Sequence, residues 1–195
     1  MRSFVVASSS PRRHQLLRSR GYDFVIAPAH IDEAARPGET SRVMVMRLAL
    51  AKALHGARSV QDGSIVLGAD TTVDLDGLVI GKPHTVADAT RLLRVLSGRT
   101  HTVHSGVALV AGDGSRATLD AATSRVAFRH LADAEIADYV ASGEPLDKAG
   151  AYAIQEQGGA FVANLEGSIT NVMGLPMELV EALLGEWGIR PAAYA

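Results

Sequence analysis

The 195-residue chain contains no cysteine, which excludes a disulfide framework, a thiolate nucleophile and a cysteine-based zinc site. Such a composition suits a reducing compartment, and the cytoplasm is the expected one. No window approaches 18 consecutive apolar residues, so no membrane-spanning helix is expected. Residues 1–7 hold Arg2 and a short apolar run that stops at Ser8, unlike the longer apolar stretch of a signal peptide. An excess of one charge is also lacking. The 19 basic and 21 acidic residues give a formal net charge of −2, which argues against a general polyanion-binding surface and against nucleic acid as a partner, while leaving room for a local basic pocket. No G-x-x-x-x-G-K-[ST] run occurs, which disfavours a P-loop nucleotide hydrolase. Neither a repeat nor a low-complexity stretch nor a linker divides the chain, so one domain over 1–195 is expected.

What is present is a folded pattern, with 47% apolar residues. Residues 3–7 read as a buried strand. Ser8–Ser10 then cap a helix from Pro11 to about Arg20, because the missing N–H of proline costs nothing in a first turn. The run 23–27 reads as a strand and 41–57 as a long helix capped by Ser41. Asp76-Gly77 predicts a hairpin pairing 65–75 with 78–81. A helix is predicted over 86–97, then strand, Asp-Gly turn and strand over 100–128. Further helices follow at about 132–142 and from Pro176, with strand and loop over 151–168. Hairpins mixed with helices indicate an α/β fold with a mixed sheet.

The stretch "FVVASSSPRRHQLL" at 4–17 places Arg12 and Arg13 on a helix first turn, where the dipole already carries positive charge. Free N–H groups beside two guanidinium forks suit an anion; solvated surface arginines are the alternative. Asp70, in "VLGADTT", follows an apolar strand beside Gly68 and Ala69, where a ligand can approach closely. A carboxylate there suits metal binding or activation of water. Asp70, Thr72, Asp74 and Asp76 alternate onto one face, although the turn explains Asp76 and an exposed hairpin explains Asp74. Lys52 lies in an apolar helix face, and Lys82 sits between Gly81 and Pro83. Either is a point charge for phosphate, or a snorkelling lysine and a loop lysine respectively. Three-residue spacing on a strand sends His101 and His104 to opposite faces, so both read as structural or surface residues. Glu33 is one acid among several in a loop. "QEQGGAF" at 155–161 reads as a close-approach loop or a bulge.

Five stretches, "ASSSPRRHQLL", "GADTTV…GKP", "LSGRTHTVHSGVAL", "EPLDKAGAYAIQ" and "GSITNVMGLP", occur in the order seen in the Maf-like nucleoside triphosphate pyrophosphatases. The chain resembles that family from about residue 3 to 184. The resemblance implies an α/β fold of the inosine-triphosphate-pyrophosphatase type, with an elongated mixed sheet, flanking helices and a cleft between two lobes. It further implies hydrolysis between the α and β phosphates of a nucleoside triphosphate, with a divalent cation (Mg, Mn or Co) as cofactor and a homodimer as a fitting assembly. On this resemblance Asp70 is the proton acceptor and, with Glu33, a metal-side carboxylate. Ser8, Arg13, Lys52 and Lys82 then grip the polyphosphate. Arg12, Thr71 and Gln155 resemble the branch acting on dTTP and UTP, and an amide such as Gln155 both donates to and accepts from a uracil-like edge. Ile169 departs from the pattern, standing where many relatives carry an aromatic. A different class of function is also implied by the family's link to septum formation: a nucleotide-binding regulator of cell division without essential catalysis.

Overall fold

A computed structural model describes residues 4–60 and 63–192. Ser3 of the expected first strand, the start of the chain and residues 193–195 lie outside that range. The elements are β1 (Phe4–Val6), α1 (Pro11–Ser19), β2 (Val25–Ile26), α2 (Ser41–Ala57), β3 (Ile65–Leu75), β4 (Leu78–Ile80), α3 (Val86–Leu96), β5 (Thr100–Ala111), β6 (Ala117–Phe128), α4 (Asp133–Ala141), β7 (Val162–Glu166), α5 (Ile169–Val172) and α6 (Met177–Glu186). The described strands form one seven-stranded sheet in the order β2-β1-β3-β5-β6-β7, with β4 also on β3. It is mixed, as expected: β1 runs parallel to β2 and β3, and the remaining pairs are antiparallel.

Alternation along β3 builds both faces of this sheet. On one face Ile65, Leu67 and Ala69 join Leu17, Leu109, Leu175 and Leu184 in one core, while Val73 and Leu75 join Leu93, Val103, Phe128 and Tyr139 in another. Thr71 falls between them. Two lobes therefore share the long strands β3 and β5, with a polar break where the cores part. On the opposite face α2 runs back along β3, with Ser41 donating to Asp74 and Gly56 packed against Val66. The contact is small-residue packing by Ala49, Ala53, Val66 and Ala108. Gly68 and Gly106 make this closeness possible: a Cβ would lie 2.1 Å from the Ala49 carbonyl oxygen at the first and 2.3 Å from that of Val45 at the second. Gly68 thus makes room for a helix, not for a ligand.

Local signals place most boundaries, with instructive differences. Thr40, not Ser41, caps α2, accepting from the Val43 N–H at 3.4 Å; the Ser41 hydroxyl is occupied at Asp74. Asp76 and Gly77 adopt φ of 53° and 84°, the left-handed pair of a two-residue hairpin turn. In the 151–168 region the strand is confined to β7. Before it lie short 3-10 turns at Glu144–Asp147, Ala149–Ala151 and Gln157–Phe161. "QEQGGAF" is therefore neither bulge nor open loop: its Gln157 and Gly158 N–H groups donate to the Glu144 carboxylate, giving the backbone a partner that a strand ladder would otherwise supply. No helix among the described residues is long and apolar enough to cross a membrane.

Candidate active site

The site begins with a gap in a sheet edge. On one side β3 pairs with β1 at residues 65–67 and with β4 at 73–75, which leaves 68–72 without a strand neighbour there among the described residues. The chain after β1 turns away at Ala7–Ser10 to enter α1, and a cleft of about 510 Å³ opens over the gap. Ser8, Arg12, Arg13, Glu33, Lys52, Asp70, Thr71, Lys82 and Gln155 all line it, so the structure brings every sequence-predicted site residue to one cavity.

On the α2 side of β3 the Asp70 carboxylate is buried. Lys52 reaches it from α2, with Nζ 2.6 Å from Oδ1, and the same ammonium lies 2.6 Å from Oε1 of Glu33 in the 27–40 loop. The snorkelling reading of Lys52 fails, because its ammonium is buried between two carboxylates. Burial raises the Asp70 carboxyl pKa from its ordinary value, against the opposing pull of the Lys52 and Arg13 charges. That is the direction a general base at neutral pH requires.

Across the strand edge, Arg13 is held as a three-point fork. Its Nε donates to the Gly174 carbonyl at 2.9 Å, and its terminal nitrogens donate to the Ser8 and Thr71 hydroxyls, each at 3.3 Å. Burial lowers its proton affinity, partly offset by Asp70 and Glu33, but a guanidinium stays charged in proteins. Arg13 is therefore not a solvated surface arginine. The Ser8 loop is fixed in turn by His14, whose Nε2 lies 2.8 Å from the Ser8 carbonyl oxygen. Thr71 also meets Ser105 Oγ at 2.8 Å and donates to the Gly174 carbonyl at 3.1 Å. The Arg12 and Lys82 side chains, by contrast, have no hydrogen bond or ion pair among the described residues, and the side chain of exposed Gln155 donates only to Glu156, at 3.1 Å.

The family model described as Maf-like protein matches residues 3–187. The chain belongs to the Maf-like protein family. A dTTP/UTP pyrophosphatase of Moorella thermoacetica is 48% identical over 189 residues, covering 97% of this chain and 97% of that relative. One from an Anaeromyxobacter species is 50% identical over 187 residues, covering 94% of this chain and 89% of the relative. Among solved structures, a HAM1 protein from Coxiella burnetii (TM-score 0.56, 19% identity, 95% of this chain and 100% of that one) and the Staphylococcus aureus Ham1 protein (TM-score 0.55, 14% identity, 95% and 99%) share the fold.

In this Maf-like chain the other acids and histidines singled out in the sequence are otherwise engaged. Asp74 accepts from Ser41 and, at 2.8 Å, from the Gly77 N–H, and Asp76 pairs with Arg99 at the hairpin tip; the alternating carboxylates are not a ligand row. His101 is buried against Tyr152, 2.9 Å away, whereas His104 meets Thr123 on the other face. Ile169 is 47% exposed and does not line the cleft. Sequence reasoning missed Lys148, a buried lysine of the cleft wall bonded to Asp147 and the Glu144 carbonyl; its signal was a lysine inside the quoted "EPLDKAGAY". It also missed Asn171, whose amide donates to the Val103 carbonyl at 3.0 Å and Ser124 Oγ at 2.9 Å. Asn171 thereby anchors the segment that presents the Gly174 carbonyl to Arg13.

Proposed function

We propose that this Maf-like chain is a nucleoside triphosphate pyrophosphatase acting on dTTP and UTP, releasing the nucleoside monophosphate and pyrophosphate. The observation that carries the reading is the juxtaposition, in one cleft, of a buried carboxylate with raised proton affinity and a cluster of cations built from α1, α2 and the loop after β4. Membership of the family, and relatives named dTTP/UTP pyrophosphatase at nearly full length, support the substrate class.

In this reading the triphosphate lies over the N-terminus of α1. Arg12, Arg13, Lys52 and Lys82 neutralise it and the Ser8 hydroxyl hydrogen-bonds to it, which accounts for arginines placed at a positive helix end. Asp70 takes a proton from water as the water oxygen bonds to the α phosphorus, the α–β bridging bond breaks, and its electron pair leaves with pyrophosphate. Val73, Val103, Tyr152 and Met173 supply apolar lining for the base, and Gln155 reads its edge from the rim. No group of three metal-ligating side chains occurs among the described residues. Two carboxylates meeting at one ammonium nevertheless fit a hard cation of the Mg²⁺, Mn²⁺ or Co²⁺ kind, which is commonly held by one or two carboxylates together with substrate phosphates. Asp70 and Glu33 would hold it, and it would supply charge neutralisation at the polyphosphate. A homodimer and a cytoplasmic setting belong to the same proposal.

The test is pyrophosphate release from a panel of canonical and modified nucleoside triphosphates. The expected result is turnover of dTTP and UTP ahead of purine triphosphates. A preference for 7-methyl-GTP overturns the substrate class, and tight triphosphate binding without pyrophosphate release makes the chain a nucleotide-binding regulator instead.

A further inference from the structure

Glu33 enters the site from an unusual support. Residues 27–40 contain no helix or strand, and Ala34–Gly38 are all exposed, so apolar burial does little to fix this segment. The Glu33 side chain is itself 57% exposed, and an ion pair at such a position holds little by itself. The holding contacts lie elsewhere in the loop. Arg47, on α2 five residues before Lys52, donates through Nε and Nη2 to the two oxygens of Glu39 at 2.6 and 2.7 Å. The same Nη2 donates to the Ala34 carbonyl at 3.1 Å. Glu39 also accepts from the Arg36 N–H at 3.2 Å. Only 6% of the Glu39 side chain and 18% of that of Arg47 are exposed. A two-pronged fork shielded from water is geometrically far more restrictive than one exposed contact. It ties the residue next to Glu33 to the helix that carries Lys52.

We propose that the Arg47–Glu39 fork is a positioning device that holds Glu33 at the Lys52 ammonium, so that Arg47 and Glu39 act on the reaction without touching substrate. Hydrogen bonding by Arg47 pulls the Glu39 carboxyl down to about 2, so the fork is ionised at neutral pH and does not act as a titrating switch there. The inference rests on the reading of Glu33 as a metal-side carboxylate, and its test separates the two.

The experiment compares Glu39→Gln, Arg47→Ala and Arg47→Lys with Glu33→Gln. Amide hydrogen exchange of the 28–40 segment in metal-free protein is read beside the Mn²⁺ concentration giving half-maximal dTTP hydrolysis. Loss of the fork is expected to speed exchange at Ala34 and Arg36 at least tenfold. It is also expected to raise the Mn²⁺ requirement about tenfold, the lower end of the effect of outer supporting residues on metal affinity. kcat at saturating Mn²⁺ and the melting midpoint should hardly move. Arg47→Lys, with one point charge in place of a fork, should fall between wild type and Arg47→Ala. Unchanged exchange in Glu39→Gln and Arg47→Ala overturns the proposal, as does a lowered melting midpoint with an unchanged Mn²⁺ requirement. An unchanged Mn²⁺ requirement in Glu33→Gln defeats the metal-side reading alone, since exchange still judges the brace.

Discussion

The two walls of the cleft are built differently. The wall carried by α1, α2 and β3 is wired in advance: Asp70 and Glu33 share Lys52, and Arg13 has three partners. The facing wall carries exposed tips, Lys82, Asp147, Gln155 and Glu156, over a packed base of Lys148 and Tyr152. Charges aimed beforehand at the reacting phosphates need no reorganisation at the moment of reaction. A rim whose side chains remain solvated can adapt to a base. On the proposed reading the proton transfer falls to the prewired wall and Gln155 on the rim reads the base, with Lys82 the rim's contribution to the phosphates, so Asp70 and Gln155 substitutions should have different kinetic signatures.

The largest effect is expected from Asp70→Asn, which removes a base of the rigid wall without changing its shape. A loss of ~10²–10⁴-fold in kcat is expected, with an unchanged circular dichroism spectrum, because Glu33 still partners Lys52. Retention of more than half the activity in a steady-state dTTP assay would make Asp70 structural. Next comes the pH profile. As the proposed base Asp70 works deprotonated, and burial raises its pKa, so kcat/KM should fall about tenfold per pH unit on an acid limb displaced upward from that of an exposed aspartate. A profile flat down to the usual range of an exposed aspartate would show that Asp70 is not the base.

Arg13→Ala should weaken binding of a non-hydrolysable triphosphate by about 1.5–3 kcal/mol. Arg13→Lys should not restore it, since a point charge cannot reach Gly174, Ser8 and Thr71 together. Equal affinity in all three proteins, measured by calorimetry, would move the phosphate site elsewhere. The smallest effect belongs to the soft wall. Gln155→Ala should cost about 1 kcal/mol for UTP and dTTP and less for GTP, so the UTP-to-GTP ratio of kcat/KM shrinks. A uniform loss across substrates would place Gln155 with the scaffold.

Much of this organisation was legible in local patterns, and the unread parts have a common cause. Pro11, the Asp76-Gly77 pair and the long apolar helix over 41–57 each act on their near neighbours, so elements came out within a few residues. Capping of α2 was misassigned because Ser41 had a remote competitor, Asp74, for its hydroxyl. Gly68 was misread for a related reason: what needs the space is a helix that passes over it. Lys148 and the Arg47–Glu39 fork escaped notice because a charged residue inside an otherwise ordinary segment looks alike whether it faces solvent or a cleft.

The sequence by itself determined the long helices, the strands up to residue 128, the hairpin turns and the family, because propensity, periodicity and motif order reside in the chain as written. Only the tertiary structure decided that Lys52 and Asp70, 18 residues apart, form one buried pair, and that Arg13 reaches Gly174 across 161 residues. It likewise decided that Asp70 is the carboxylate whose proton affinity rises. Desolvation and charge pairing depend on every atom that excludes water from a group, and those atoms come from strands and helices that meet only when the sheet is assembled.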